Sequence, residues 1–197
     1  TTKDGSEDGS EETREDDEED SESSDDESMD GGIEAAPPAE LAQILARAKA
    51  EAIAHALTSP TIVVGCDSVF ELDGRPYGKP GTSEVARERW QQMFGKTGIL
   101  HTGHCVIDTA TNQRAEATAS TTVTLGTMTS QEMDDYLATG EPLEVAGGFT
   151  LDALGAPFIE SIHGDPSTVV GISLPTLRNL LADLGFRWTA LWNTNLG

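Results

Sequence analysis

Residues 61–80 read TIVVGCDSVFELDGRPYGKP. Thr61 to Val64 is a β-branched run bounded by Pro60 and Gly65, too short for a helix, which predicts a buried strand ending at Cys66-Asp67. Val69 to Leu72 and Arg75 to Tyr77 flank Asp73-Gly74, a dipeptide suited to the left-handed positions of a two-residue hairpin turn. Asp67 is therefore expected where the carboxyl end of a strand delivers side chains to a crevice in an open α/β sheet. A carboxylate there can contact a divalent metal and take a proton from water. Taken by itself, an Asp after a strand more often only opens a turn. Lys79 follows on a stiff turn against Pro80. Gly74 to Lys79 superficially suggests a phosphate loop, but a Walker A needs four residues between its glycines and Ser or Thr after the Lys, so Pro80 excludes it. What remains is a lysine able to meet a phosphate as a point charge, or a solvated hairpin lysine.

Upstream, Ala39 to Leu57 is dense in strong helix formers, with Leu41, Ile44, Leu45 and Ala48 expected on one face. Lys49 sits among small neighbours that would let a bulky anion reach the helix surface; an exposed lysine paired with nearby glutamates is the plainer reading. Downstream, Thr82 or Ser83 caps a helix to about Phe94, stopped by Gly95. Ile99 to Asp108 and Ala115 to Leu125 read as extended segments joined by a turn around Asn112. Thr129 and Glu132 form a capping box for a helix through Ala138, with Gly140 beyond its end. Phe158 to Ile162 and Arg187 to Leu191 read as strands, and Pro175 to Leu184 as a helix closed by Gly185. Interleaved strands and helices with hairpin-like pairs predict an α/β domain, a mixed β-sheet flanked by helices.

The chain has 197 residues and a formal net charge of −23, from 35 acids and 12 bases. Sixteen of those acids and two of those bases fall in residues 1–32, so that segment carries −14 and the remainder −9. Its one large apolar residue is Met29, so it cannot bury enough surface to offset chain entropy and is expected to be disordered. Residues 33–197 are long enough for one compact domain burying roughly 68–70% of its extended-chain surface. The acidity argues against nucleic acid polymers and anionic membranes as partners, because phosphate-rich surfaces need cationic contacts. Cys66 and Cys105 have no CxxC spacing, and no apolar run is long enough for a signal peptide or a membrane span, so reduced thiols in the cytoplasm are expected. Cys66 faces away from Asp67 on an extended chain and reads as a packing residue. His101 and His104, three apart on a strand, face opposite ways and cannot jointly hold a metal. The connection from Gly140 through Gly147-Gly148 to Asp152 and Gly155 is long, Gly-rich and acidic, the composition of a functional or a mobile loop.

Taken in series, Gly65-Cys66-Asp67-Ser68, Gly78-Lys79-Pro80, Leu100-His101-Thr102-Gly103, Gly140-Glu141-Pro142, Ala146-Gly147 and Gly164-Asp165-Pro166-Ser167-Thr168-Val169-Val170-Gly171 resemble the Maf family, from about Ala39 to Trp192. That resemblance implies a fold like the inosine triphosphate pyrophosphatases. It also implies a nucleoside triphosphate pyrophosphatase that releases a monophosphate and pyrophosphate with Mg²⁺ or Mn²⁺, clearing non-standard nucleotides. Asp67 matches the family's proton acceptor and metal contact, Lys79 its phosphate-binding lysine, and Lys49 the lysine of its Lys-Ala helix motif. Ser68 and Asp152 fall at positions that sort substrates, and Glu27 is aligned with an acidic residue upstream of the first long helix, as a metal contact. The family often dimerises, and its association with septum formation suggests a second reading, a catalytically impaired nucleotide-binding regulator.

The chain departs from the family pattern at Gly98, where a His is common, at Val145, where a Lys is common, and at Asp152, where Gln or Glu stands in characterised branches. Residues 1–38 match nothing of the family's opening strand and Ser/Pro/Arg/Arg loop. The chain begins at Thr1 rather than Met, so the expectation is that this strand lies upstream or that activity is impaired.

Overall fold

The computed structural model describes residues 36–192. The acidic segment 1–32 and Glu27 lie outside the described residues.

Helix α1 (Pro38–Ala56) starts with proline in its first turn, where the missing N–H costs nothing. Its buried residues are Ala42, Ala46 and Ala50. The expected stripe is therefore rotated: Leu41, Ile44 and Leu45 are half-buried and Ala48 is exposed. The cause lies beneath the helix. A Cβ on Gly65 would come within 2.4 Å of the Ala46 carbonyl, and one on Gly103 within 2.3 Å of the Ala42 carbonyl. Alanine meeting glycine lets the helix rest against the sheet backbone itself, an approach that leucine at the contact positions would prevent.

Strand β1 (Ile62–Leu72) is longer than its sequence suggested. It pairs antiparallel with β3 without interruption from Ile62 opposite Asp108 to Glu71 opposite Ile99. Gly65 does not end the strand because its bare face is filled by α1. Asp67 accordingly stands in the middle of β1, not at its carboxyl end. Asp73 and Gly74 have φ of 52° and 76° and turn the chain into β2 (Arg75–Tyr77), the expected hairpin. Helix α2 (Ser83–Met93) is capped by Thr82, whose hydroxyl accepts the Val85 N–H. Strands β3 (Thr97–Asp108) and β4 (Gln113–Leu125) form the long hairpin turning at Asn112. Helix α3 (Ser130–Ala138) carries the full Thr129–Glu132 capping box. Strand β5 (Ile159–His163) follows, then α4 (Pro166–Val170) and α5 (Leu174–Asp183).

The sheet order among the described residues is β2-β1-β3-β4-β5, and its four pairings are antiparallel. The α/β class with a helix-flanked sheet stands, while the mixed pairing expected from the sequence is antiparallel throughout the described residues. Residues 187–191, expected as a strand, contain instead a 3-10 turn over Trp188–Leu191, with Trp188 leaning on the buried Leu177, Leu180 and Leu181 of α5. Apolar packing against α5 replaces sheet pairing there.

The sheet is buried on both faces. Gly103 and Cys105 lie under α1, whereas Leu100, Thr102, His104 and Val106 point to the other side, as the period of a strand requires. On that side Phe70, Leu72, Met93, Leu100, Val123, Leu125 and Phe149 form the largest core cluster, and Val106 joins α5 in another. Polar contacts fix the slide of α1. Arg47 grips Glu116 with two bonds of 2.8 and 2.7 Å, and Gln43 donates to the His104 carbonyl at 2.9 Å.

Candidate active site

Strand β2 pairs with β1 only at residues 70–72, so among the described residues the margin of β1 from 62 to 69 has no strand beside it. A cleft of about 440 Å³ opens along this margin. Leu41, Leu45, Leu100, Phe149 and Val169 supply apolar walls. Lys49, Asp67, Ser68, Lys79, Glu144 and Asp152 supply the charged and polar groups. The structure thus brings together Lys49, Asp67, Ser68, Lys79 and Asp152, five of the six residues singled out from the sequence; the sixth, Glu27, lies outside the described residues.

The first wall is made by α1 and β1. Close docking of Ala46 and Ala50 over Gly65 sets Lys49 above Asp67, and the two form an ion pair. The other Asp67 oxygen, Oδ1, accepts the Ser68 N–H at 2.8 Å. Asp67 is mostly shielded and Lys49 mostly exposed, so the lysine can turn to an anion without leaving water. Cys66 faces away from this pair, as expected. Burial pushes its thiol up to about 11, with Lys49 pulling the other way, which keeps it protonated at neutral pH. Cys105 is raised to about 12, first by burial and then by Glu116.

The second wall is loop. Lys79 lies after β2 and faces Glu144 at 3.7 Å. Arg89 of α2 donates to the Gly78 carbonyl at 3.1 Å, and the Gly147 N–H reaches the same carbonyl at 3.3 Å, tying the lysine loop to the Gly-rich loop. Gly147 and Gly148, both with φ of 72°, let that loop fold over the core: Trp90 donates its indole N–H to the Gly148 carbonyl, and Phe149 packs edge-on to Phe70 at 5.2 Å. Glu141 organises the remainder. Its Oε1 accepts from the Tyr136 hydroxyl at 2.9 Å, the Thr150 hydroxyl at 2.5 Å and the Gly155 N–H at 3.1 Å, while Oε2 accepts the Leu154 N–H at 3.2 Å. Burial works to raise the Glu141 pKa, but these donors outweigh it and hold the carboxyl below its ordinary value. The segment between Thr150 and Leu154 holds Asp152 and is pinned at both ends by one side chain.

The two histidines do point opposite ways. His101 bridges Glu71 and Ser120, each at 2.8 Å. His104 is fully buried, accepts the Ser173 N–H through Nε2 at 2.8 Å and has no partner at Nδ1; burial lowers its pKa. Among the described residues no three His, Cys, Asp or Glu side chains gather in a metal-holding group.

Sequence reading missed Arg89, Glu144 and the function of Glu141. An Arg six residues after a helix start carries no signal, since its target is the carbonyl of a distant turn. Glu141 did carry one, an acid just past Gly140 and ahead of a Gly-rich loop, which is the place for a group collecting loose N–H donors.

No helix among the described residues is long and apolar enough to cross a membrane. The family model described as Maf-like protein matches residues 13–184. A Salinispora tropica protein named nucleoside triphosphate pyrophosphatase is 53% identical over 153 residues, which cover 76% of this chain and 68% of the relative. A Streptomyces avermitilis protein of the same name is also 53% identical, over 77% of this chain and 74% of the relative. One from Mycobacterium leprae is 48% identical over 158 residues, again 77% and 74%. With the family model spanning most of its length and relatives half-identical across more than two thirds of theirs, this chain belongs to the Maf family.

Proposed function

We propose that this protein is a nucleoside triphosphate pyrophosphatase, a hydrolase that splits the anhydride between the α- and β-phosphates to give a nucleoside monophosphate and pyrophosphate. The observation that carries the reading is the Lys49–Asp67 pair on the wall of a cleft that also holds Lys79. The names of relatives about half identical in sequence agree with it.

In this reading Asp67 accepts the proton of the attacking water. The neighbouring Lys49 orients one carboxylate oxygen, and the tie of the other to the Ser68 N–H fixes the carboxylate plane. Lys49 and Lys79 receive the triphosphate and offset the charge that builds on the leaving pyrophosphate. Each already has a carboxylate partner, Asp67 and Glu144, so binding exchanges one anion for another rather than burying a bare charge. The apolar walls contributed by Leu41, Leu45 and Phe149 suit a nucleoside and keep bulk water from the reacting phosphate.

A divalent cation, Mg²⁺ or Mn²⁺, fits the donor set in one form. Asp67 lines the cleft, and among the described residues no three metal-ligating side chains gather, which suits an ion held jointly by Asp67, waters and substrate phosphates rather than by a protein cage. Such an ion supplies positive charge at the phosphoryl oxygens and makes the attacking water more acidic.

The experiment is incubation with CTP, UTP, dTTP and modified triphosphates plus Mg²⁺ or Mn²⁺, with monophosphate and pyrophosphate both quantified. Release of orthophosphate instead of pyrophosphate, or no turnover of any triphosphate, refutes the assignment. Triphosphate binding without turnover supports the nucleotide-binding regulator in its place.

A further inference from the structure

Behind the cleft wall, three hydroxyl and carbonyl groups are joined in a chain whose direction can be deduced. The Ser68 hydroxyl lies 2.8 Å from the Thr102 hydroxyl, and Thr102 Oγ1 lies 2.9 Å from the Thr168 carbonyl. Thr102 and Thr168 are both fully buried. A carbonyl can only accept, and Thr102 has one proton, so that proton goes to Thr168. Thr102 then has nothing left to give Ser68, and Ser68 must donate to Thr102. The Ser68 proton is spent inside the protein, and its oxygen faces the cleft as an acceptor.

The acceptor end of the chain is itself held firmly. Asp165 caps α4 by accepting the Ser167 N–H at 3.0 Å and the Thr168 hydroxyl at 3.1 Å, and Thr121 of β4 donates to the Asp165 carbonyl at 2.9 Å. The Thr168 carbonyl is thereby fixed over Thr102, and the proton order cannot reverse without leaving two acceptors face to face.

We propose that Thr102 is a positioning residue that sets the polarity of substrate recognition: by consuming the Ser68 proton it makes Ser68 a pure acceptor, so the cleft selects nucleosides through a donor, either a base amine or a sugar hydroxyl. This rests on the cleft being a nucleotide site. An acceptor-only Ser68 cannot bind a phosphate oxygen, which places it at the nucleoside rather than at the phosphates. Asp152, the other polar side chain singled out for substrate sorting, is likewise acceptor-only when ionised. Neither side chain can reward a carbonyl edge.

The test measures binding of uncleavable α,β-methylene triphosphates by calorimetry, using cytidine, pyrimidin-2-one riboside, 2′-deoxycytidine and 3′-deoxycytidine forms. Cytidine against the pyrimidin-2-one riboside, which lacks only the amine, reads the base amine, and cytidine against each deoxy form reads a sugar hydroxyl. The unmodified protein is expected to prefer the donor-bearing member of at least one pair by roughly tenfold, the worth of one hydrogen bond. Thr102→Val frees the Ser68 proton and should bring that ratio to within roughly twofold, whereas Thr102→Ser should restore it. Equal weakening of every ligand by Thr102→Val, with ratios intact, would show a merely structural role and overturn the proposal; so would the absence of any preference in the unmodified protein. Should Thr102→Val not fold, Ser68→Ala carries the test: it should abolish the same preference, and an unchanged ratio overturns the idea. Since no ligand is cleaved, binding with the expected ratios but no turnover of ordinary triphosphates would sink the hydrolase assignment and leave this inference standing.

Discussion

The two walls of the cleft hold their lysines in different ways. On the α1–β1 wall Lys49 and Asp67 are brought together by steric contact, alanine against glycine, with no polar group needed between helix and strand at Gly65 and Gly103. On the loop wall Lys79, Glu144 and Asp152 are placed by hydrogen bonds that converge on Glu141 and the Gly78 carbonyl. Steric placement is stiff and tolerates no added atom. Polar placement depends on charge and therefore on pH. The stiff wall carries the assigned base, Asp67, together with Lys49 and Ser68, and the adjustable wall carries Lys79 and Asp152.

The largest expected effect falls on the chemistry of the stiff wall. Asp67→Asn keeps size and the bond from the Ser68 N–H but removes the base, and kcat should fall by about 10²–10⁴. Stability should change by less than about 1 kcal/mol, because the pair with Lys49 is open to solvent on the lysine side. Steady-state pyrophosphate release and thermal melting check the two halves. Loss of kcat accompanied by a large drop in melting temperature would mean that Asp67 is structural.

Next is the steric contact itself. A methyl group on Gly103 would meet the backbone of Ala42 and Gln43, which cannot step aside as a side chain can. Gly103→Ala should cost about 3 kcal/mol and lower the melting temperature by roughly 6–12 °C. Gly78→Ala, on the loop wall where an added methyl group would meet nothing within 4 Å, is the control and should leave melting unchanged. Equal effects from the two would show that the helix–sheet contact is softer than its geometry.

This contrast also explains what could be read from the sequence. The Asp73-Gly74 hairpin, the Thr129–Glu132 capping box and the long helix were legible because each is a local rule satisfied within a few residues. The burial face of α1 was not, since small residues are chosen there by Gly65 and Gly103, which are distant in sequence. Lys49, Asp67, Ser68, Lys79 and Asp152 were picked out by motif resemblance, and the fold does line one cleft with them. Their pairings, Lys49 with Asp67 and Lys79 with Glu144, depend on register and on loop closure, which no single stretch encodes.

On the loop wall, Glu141→Gln replaces one acceptor oxygen by an amide that confronts N–H and O–H donors. It should cost about 2 kcal/mol and raise KM more than it lowers kcat, because it loosens the segment holding Asp152. The pH dependence has a definite sign. A carboxyl whose folded pKa is depressed stabilises the protein above its unfolded pKa, about 4.3, and loses that contribution as pH falls through the folded value. The gap in melting temperature between the unmodified protein and Glu141→Gln should therefore narrow below about pH 4. A gap that stays constant from pH 7 to pH 3.5 would assign the effect to shape rather than to charge.

The smallest effect is expected at Glu144, and it runs the other way. Glu144 and Lys79 are both well exposed and 3.7 Å apart, so breaking the pair with Glu144→Gln should alter stability by less than about 0.5 kcal/mol. The lysine is then freed of a competing anion, and KM for a triphosphate should fall by roughly two- to threefold at low salt, the difference fading as added salt screens exposed charges. Steady-state KM at two salt concentrations measures this. Lys49 offers no such gain, because its partner Asp67 is also the assigned base and its removal costs far more in kcat than any release of Lys49 returns. If Glu144→Gln raises KM instead, Glu144 is holding Lys79 in place rather than competing for it, and the loop wall positions its lysine through charge just as the helix wall does through contact.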